Sequence, residues 1–370
     1  MNPAEWPHGG DLRSLSEISG IAVSDILDFS ANINPLGPPD WMSQVVNDHL
    51  SATAHYPDPH CTELLESAAI RYQVGLDEIL AGNGSSELLY AIPRLLRSRS
   101  AIIAVPCYAD YRRAAELAGM QTRAFRLDPG NNFHLDFAQL ADAIEDAGGA
   151  GLVLLGQPNN PTGRCFDAEE LRALAARYED CWFVIDEAFA DFVEDLDRLT
   201  QRRPPNVIVL LSATKNWAIP GLRLGFAIAD RGVVQMLRAA LPPWSVNSLA
   251  QAVGCAALGD QAYGEHSRRL VAAWRVELAG WLSQTRGIHV FPGEANFLLA
   301  RTSAPARLQA RMLRRGIAIR DCSNFEGLDA CYFRVAVRTS EENARLARAL
   351  SDEHGGEPAI EDLHSRMRMK

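Results

Sequence analysis

The chain has 370 residues, 47% of them hydrophobic and 22% charged, enough for a large core and pointing to two domains. Its net charge of −10 disfavours general nucleic-acid binding, which needs a basic surface, but a few local arginines still suffice for a small anion. No apolar run approaches the roughly 18 residues that cross a bilayer, so no membrane partner is expected. The opening MNPAEWPHGGDL lacks a charged region followed by an apolar one and does not read as a signal peptide. Seven scattered cysteines, none at CxxC spacing, argue against a zinc site or a disulfide framework, and a cytoplasmic location is expected.

In chain order, residues 1–45 form an N-terminal arm that pattern alone assigns to neither domain. It is expected to pack with the smaller one. Residues 46–248 are expected to form the large domain. SSELLYAIPRLL (Ser85–Leu96) predicts a helix, with Ser and Glu near its start and a Pro that bends it. AIIAV (Ala101–Val105), GLVLL (Gly151–Leu155), WFVI (Trp182–Ile185), VIVLL (Val207–Leu211) and LGFAI (Leu224–Ile228) predict strands buried on both faces. AEELRALAARYE (Ala168–Glu179) predicts a helix between two of them. The alternation implies an α/β fold, a mostly parallel sheet between helices. From Leu249 the pattern changes: a long helical stretch to Gln284, strand-like ANFLLA (Ala295–Ala300), a helix near Ala306–Arg315 and strand-like YFRVAV (Tyr332–Val337). Residues 249–352 are read as a smaller α+β domain, and 353–370 as a frayed polar tail.

Polar residues cluster where the strands end. AIIAV runs into Tyr108, GLVLL into GQPNNPTG with Asn160, WFVI into Asp186, and VIVLL into SATK with Ser212 and Lys215. Ligands of an open parallel sheet bind beyond the carboxyl ends of its strands. An aromatic, an amide, a carboxylate and a lysine therefore converge on one crevice. Together they suit pyridoxal phosphate. The lysine amine condenses with its aldehyde, the carboxylate keeps the ring nitrogen protonated, the amide bonds the phenolic oxygen and the aromatic stacks on the ring. GNG ahead of the Ser85 helix, with Ser212 and Arg223, provides donors for a phosphate. Taken singly, each feature has a plainer explanation: a turn, a helix cap, a solvated lysine.

PNNPTG (Pro158–Gly163), DEAF (Asp186–Phe189) and SATKNWAIPGLRLGF (Ser212–Phe226) together resemble the class I/II aminotransferase family of pyridoxal-phosphate fold type I. HGGD (His8–Asp11), LDFSANINPLGPP (Leu27–Pro39), YPDP (Tyr56–Pro59), AGNGSSE (Ala81–Glu87) and LPPWSVNSLA (Leu241–Ala250) resemble the branch of that family that decarboxylates L-threonine O-3-phosphate for cobalamin synthesis. The resemblance implies Lys215 as the Schiff-base lysine, Asp186 at the pyridine nitrogen, Asn160 at the ring oxygen and Tyr108 stacked on the ring. It implies Ser85, Ser86, Ser212 and Arg223 around the phosphate, with Tyr56 reaching the phosphate of a neighbouring subunit, hence a homodimer. Arg334 would pair with the substrate carboxylate. Phe189 stands where many transaminases carry tyrosine, which favours lyase chemistry, and Asp11 stands where asparagine is commoner.

A phosphorylated amino acid presents two anionic ends. Arg334 can take one, and Arg320 is the candidate for the other. His8, Gly9 and Asn32 of the arm are candidates to close over the phosphate end. Arg338, at the far end of the Arg334 strand, is expected to be solvated. Two other readings stay open: a histidinol-phosphate-type aminotransferase using the same cofactor residues, and a non-catalytic cofactor-binding regulator. The second is disfavoured by the acidic balance and the lack of spare length for a basic DNA-binding domain.

Overall fold

A computed structural model of the chain describes residues 9–149 and 151–355. His8 and the end of the tail lie outside the described residues. Thirteen strands occur among them: β1 (Leu27–Asp28), β2 (Ile79–Asn83), β3 (Ser100–Val105), β4 (Gln121–Arg126), β5 (Gly151–Gly156), β6 (Cys181–Asp186), β7 (Val207–Ser212), β8 (Leu224–Ile228), β9 (Ile288–Val290), β10 (Phe297–Thr302), β11 (Ile317–Ala318), β12 (Arg320–Asp321) and β13 (Tyr332–Ala336).

Seven of these form one sheet in the order β2-β8-β7-β6-β5-β3-β4. Strands β3 to β7 pair in parallel; β3, β5, β6 and β7 are unbroken apolar runs covered on both faces, while β4 is the polar, exposed edge. β8 runs antiparallel to both its neighbours. Residues 213–223 are too few for the crossover of a dozen or more residues that a parallel neighbour needs, so the chain turns straight back. That return brings Arg223 to the same sheet edge as the ends of β2 and β7.

Helix Ser85–Leu96 starts from Gly84 at φ 77° and buries Leu88, Leu89 and Ile92 against the sheet. It continues through Pro93 for almost a turn. The stretch Leu249–Gln284 forms two helices, Ser248–Gly259 and Gln261–Gln284. Asp260 separates them: its carboxylate accepts the Tyr263 amide at 3.0 Å, capping the second helix, and the Trp41 indole N–H at 2.7 Å. The first of the two packs on helices Met42–His49 and Thr62–Tyr72, beside the large sheet.

The second helix covers a four-stranded antiparallel sheet, β12-β13-β10-β9. Val271, Leu278, Phe297, Phe333, Val335 and Leu346 belong to its separate core. The N-terminal arm joins this half: β1 pairs in parallel with β11, and Phe29 bridges Ala318 and Ala336 through its backbone. Arg338 is a pin between them, donating to the Asp28 carbonyl at 3.1 Å and to Glu342 at 2.9 Å; it is not the solvated residue expected. The capping box Thr339–Glu342 behind it starts helix Ser340–Glu353. Among the described residues no helix is long and apolar enough to cross a membrane.

Candidate active site

The phosphate-binding candidates lie where β2 ends and β8 begins. The Ser85 and Ser86 N–H groups, at the start of helix Ser85–Leu96, precede its first hydrogen-bonded donor, Glu87, and sit at the positive end of its dipole. Two glycines bring this turn against its neighbours. A Cβ at Gly225 would lie 2.3 Å from the Ser85 amide nitrogen, and one at Gly84 would lie 2.5 Å from the Arg223 guanidinium. Arg223, at φ 57°, also donates to the Pro220 carbonyl at 3.3 Å. Ser212 is buried beside it, its hydroxyl 2.8 Å from that of Thr214.

Next along the edge, β6 presents Asp186 and β7 leads into Lys215. Asp186 accepts the Tyr111 hydroxyl at 2.9 Å and the Ala188 amide at 3.0 Å. Burial pushes its pKa up against these bonds and against the Lys215 charge. Burial, then the cations Arg223 and Arg334, push Lys215 down to about 8. Among the described residues its amine makes no ion pair or hydrogen bond, while Asn34 holds its carbonyl at 3.2 Å. Asn34 also donates to Asn216 O at 2.6 Å and contacts the hydroxyl of Tyr263 at 3.0 Å, tying the arm to the lysine loop.

Tyr108 and Tyr111 meet edge to face, their ring centres 5.7 Å apart. The loop after β5 is fastened there by Asn159, whose amide donates to the Pro106 carbonyl at 2.9 Å. Its neighbour Asn160 accepts from Arg334 at 2.5 Å. Arg334 is buried on β13, donates to the Ser30 carbonyl at 2.7 Å and stacks on Phe297, which meets Phe189 edge to face. Desolvation brings its pKa down to about 10, and among the described residues its Nε has no acceptor. Arg320 stands directly opposite Arg334 across the β12–β13 pair. It donates to Asn324 at 2.7 Å and lies over Phe325. Like charges so placed repel, which suits a site for an anion.

The arm closes one side. A Cβ at Gly9 would lie 2.3 Å from the Ser30 carbonyl oxygen, and the Gly10 amide donates to the Ser30 hydroxyl at 2.9 Å. Asn32 is buried, and among the described residues its Oδ1 has no partner. The structure thus gathers Ser85, Ser86, Ser212 and Arg223, then Asp186 and Lys215, at the strand ends of the large sheet, and Asn160 joins them to Arg334, opposite Arg320, on the small sheet. Tyr108 flanks them, and Gly9 and Asn32 come with the arm. Tyr56 is not among them: it is 79% exposed and stacks on Trp244. His8 lies outside the described residues. Sequence reasoning missed Tyr111, although its spacing of three from Tyr108 was a usable signal, and missed Asn34 and Ser30, whose partners are far away in sequence.

The family model for aminotransferase class I and II matches residues 24–350 of the chain. The chain belongs to that family. Over 351 residues it is 37% identical to the threonine-phosphate decarboxylase of Salmonella typhimurium, covering 93% of this chain and 95% of the relative. It is 36% identical over 350 residues to the adenosylcobalamin biosynthesis bifunctional protein CobDQ of Leptospira interrogans; that match covers 93% of this chain but 41% of the bifunctional protein's length. The histidinol-phosphate aminotransferase of Clostridium acetobutylicum superposes with a TM-score of 0.83 at 28% identity, over 89% of this chain and 99% of that one.

Membership makes the chain a pyridoxal-phosphate-dependent enzyme of fold type I. The residues present fit the cofactor. A depressed, unpartnered amine faces a carboxylate held by neutral donors, and two close glycine contacts shape an anion cradle beside them.

Proposed function

We propose that this enzyme decarboxylates L-threonine O-3-phosphate to 1-amino-2-propanol O-phosphate, for cobalamin biosynthesis. The observation that carries the reading is the Arg320–Arg334 pair, two buried cations directly opposed, with Arg334 acting on Lys215, and matched to a small substrate with two anionic ends. The names of the Salmonella and Leptospira relatives support it. Phe189, which brings no hydroxyl to the site, is in keeping with it.

When bound, pyridoxal phosphate supplies a ring that accepts the electron pair released at the substrate's α-carbon. Lys215 would be the covalent lysine. Ser85, Ser86, Ser212 and Arg223 would hold the cofactor phosphate, Asn160 would serve the ring oxygen and Tyr108 the ring face. Asp186 would keep the ring nitrogen protonated, with Tyr111 keeping that carboxylate aimed. Arg334 and Arg320 would fix the two ends of the substrate, with Gly9 and Asn32 of the arm on the phosphate side. That pose would favour loss of the substrate carboxylate as carbon dioxide over loss of the α-proton, with the bound cofactor supplying the electron sink. The Lys215 amine then delivers a proton to the α-carbon.

The same reading pairs two copies of the chain, in keeping with the exposed aromatic pair of Tyr56 and Trp244. Seven free cysteines accord with a reducing, cytoplasmic setting. The second reading, amino transfer from histidinol phosphate, has one observation in its favour. A dicarboxylic acceptor would also satisfy the arginine pair. The test is to incubate the holoenzyme with L-threonine O-3-phosphate and no keto acid, and to assay carbon dioxide and aminopropanol phosphate. Catalytic release of both supports the proposal. No release, with amino transfer from histidinol phosphate to 2-oxoglutarate instead, overturns it.

A further inference from the structure

The turn between β12 and β13, residues 322–331, leaves the small sheet and packs on the cofactor half. Cys322, Phe325 and Tyr332 belong to the core of the large sheet, whereas Phe333 and Val335 of the same strand enter the second core. The hairpin that carries both Arg320 and Arg334 therefore straddles the two halves. Its turn is organised residue by residue. Asn324 accepts from Arg320 at 2.7 Å, and the Phe325 ring lies 5.1 Å beneath the Arg320 guanidinium. The next residue, Glu326, meets Arg112 at 2.6 Å. Arg112 lies on helix Asp110–Leu117, one position after Tyr111, and is braced by the Thr122 hydroxyl and by Glu116 at 3.6 Å. Gly327, at φ 90°, lies close to Pro106: a Cβ there would be 3.8 Å from the Pro106 nitrogen.

Two neighbouring residues thus grip Arg320, and the third ties them to the helix that also aims Asp186. The tie is 29% and 38% exposed at its two side chains, so it is a weak, screenable contact and not a fixed strut. Arg320 needs such bracing, because Arg334 stands directly opposite and repels it.

We propose that Glu326 is a positioning residue for the substrate's anionic end. Its ion pair with Arg112 sets the turn whose Asn324 and Phe325 aim Arg320, so the cofactor half and the substrate-anion clamp are brought into register across the hairpin. The inference rests on the reading of Arg320 as a substrate ligand.

The experiment compares Glu326→Gln, Glu326→Arg, Arg112→Glu and the swapped double variant in the holoenzyme, measuring kcat, KM and the cofactor's absorbance band. Glu326→Gln is expected to raise KM for L-threonine O-3-phosphate by about three- to fivefold, the scale of a half-exposed ion pair. The absorbance band should not move, and kcat should change little, since binding and not chemistry is affected. Glu326→Arg and Arg112→Glu should each raise KM further, and combining them should restore it. Unchanged KM in both Glu326 variants would overturn the proposal. So would parallel losses of kcat and bound cofactor that the swap does not repair, the mark of a merely structural contact. If the charge-reversed single variants do not fold, Glu326→Gln and the double variant still decide. The wild type's products test the decarboxylase reading separately. Should it act on histidinol phosphate instead, the same KM comparison with that phosphate-bearing substrate tests Glu326.

Discussion

Asp186 ends β6 and Lys215 follows its parallel neighbour β7, and each titration is moved by what surrounds it. Only the neutral amine attacks an aldehyde. With Lys215 down at about 8, the rate at which cofactor-free protein captures pyridoxal phosphate should climb as pH rises to about 8 and then level off. An unperturbed lysine would keep climbing toward about 10.4. Rapid-mixing absorbance distinguishes the two, and a climb continuing to pH 10 would rule out the depression argued from burial, Arg223 and Arg334. Tyr111→Phe removes the hydroxyl that Asp186 accepts at 2.9 Å. Loss of one hydrogen bond to a buried carboxylate corresponds to roughly a tenfold fall in kcat, with KM little moved. Steady-state kinetics with unchanged kcat would remove Tyr111 from the aiming of Asp186. Most of this chemistry was legible in the chain, because each polar residue directly follows an apolar strand. Tyr111 was overlooked because a tyrosine in a helix is most often core.

At the scale of elements, the phosphate cradle depends on how closely β8 approaches the start of helix Ser85–Leu96. A Cβ at position 225 would lie 2.3 Å from the Ser85 nitrogen and 2.8 Å from the Leu211 carbonyl oxygen, both backbone atoms that cannot swing aside. Gly225→Ala should therefore displace the Ser85 amide and weaken cofactor affinity by about ten- to a hundredfold, the loss of one charge-assisted donor. Titration of cofactor-free protein with pyridoxal phosphate measures this; retained affinity would mean that the close approach has no part in the cradle. The apolar runs were enough to locate β3, β5, β6, β7 and β8. They did not reveal the direction of β8, which follows from the short connection after β7, nor the break at Asp260. Both flanks of that break are helical in pattern, and the aspartate's role depends on Trp41, far away in the chain.

At the scale of the molecule, the proposed two-copy arrangement makes a prediction that a one-chain site does not. Lys215→Ala and Tyr56→Ala proteins, unfolded and refolded together, should form hybrids in which one site regains both residues. Activity should then exceed the sum of the two parents, by up to about a quarter of wild type when half the dimers are hybrid and one of their two sites is whole. No gain on mixing would count against a site shared between copies.

The fold class, the cofactor and the crevice residues from Ser85 to Arg223 could be read from the chain alone, because strand burial and strand-end chemistry are local properties written in short runs. The clamp opposite them could not be assembled that way. Arg334 reaches Ser30 across 304 positions and Asn160 across 174, and Arg112 reaches Glu326 across 214. Such meetings depend on how two cores, an arm and a hairpin pack together, and no local pattern of side chains encodes that packing.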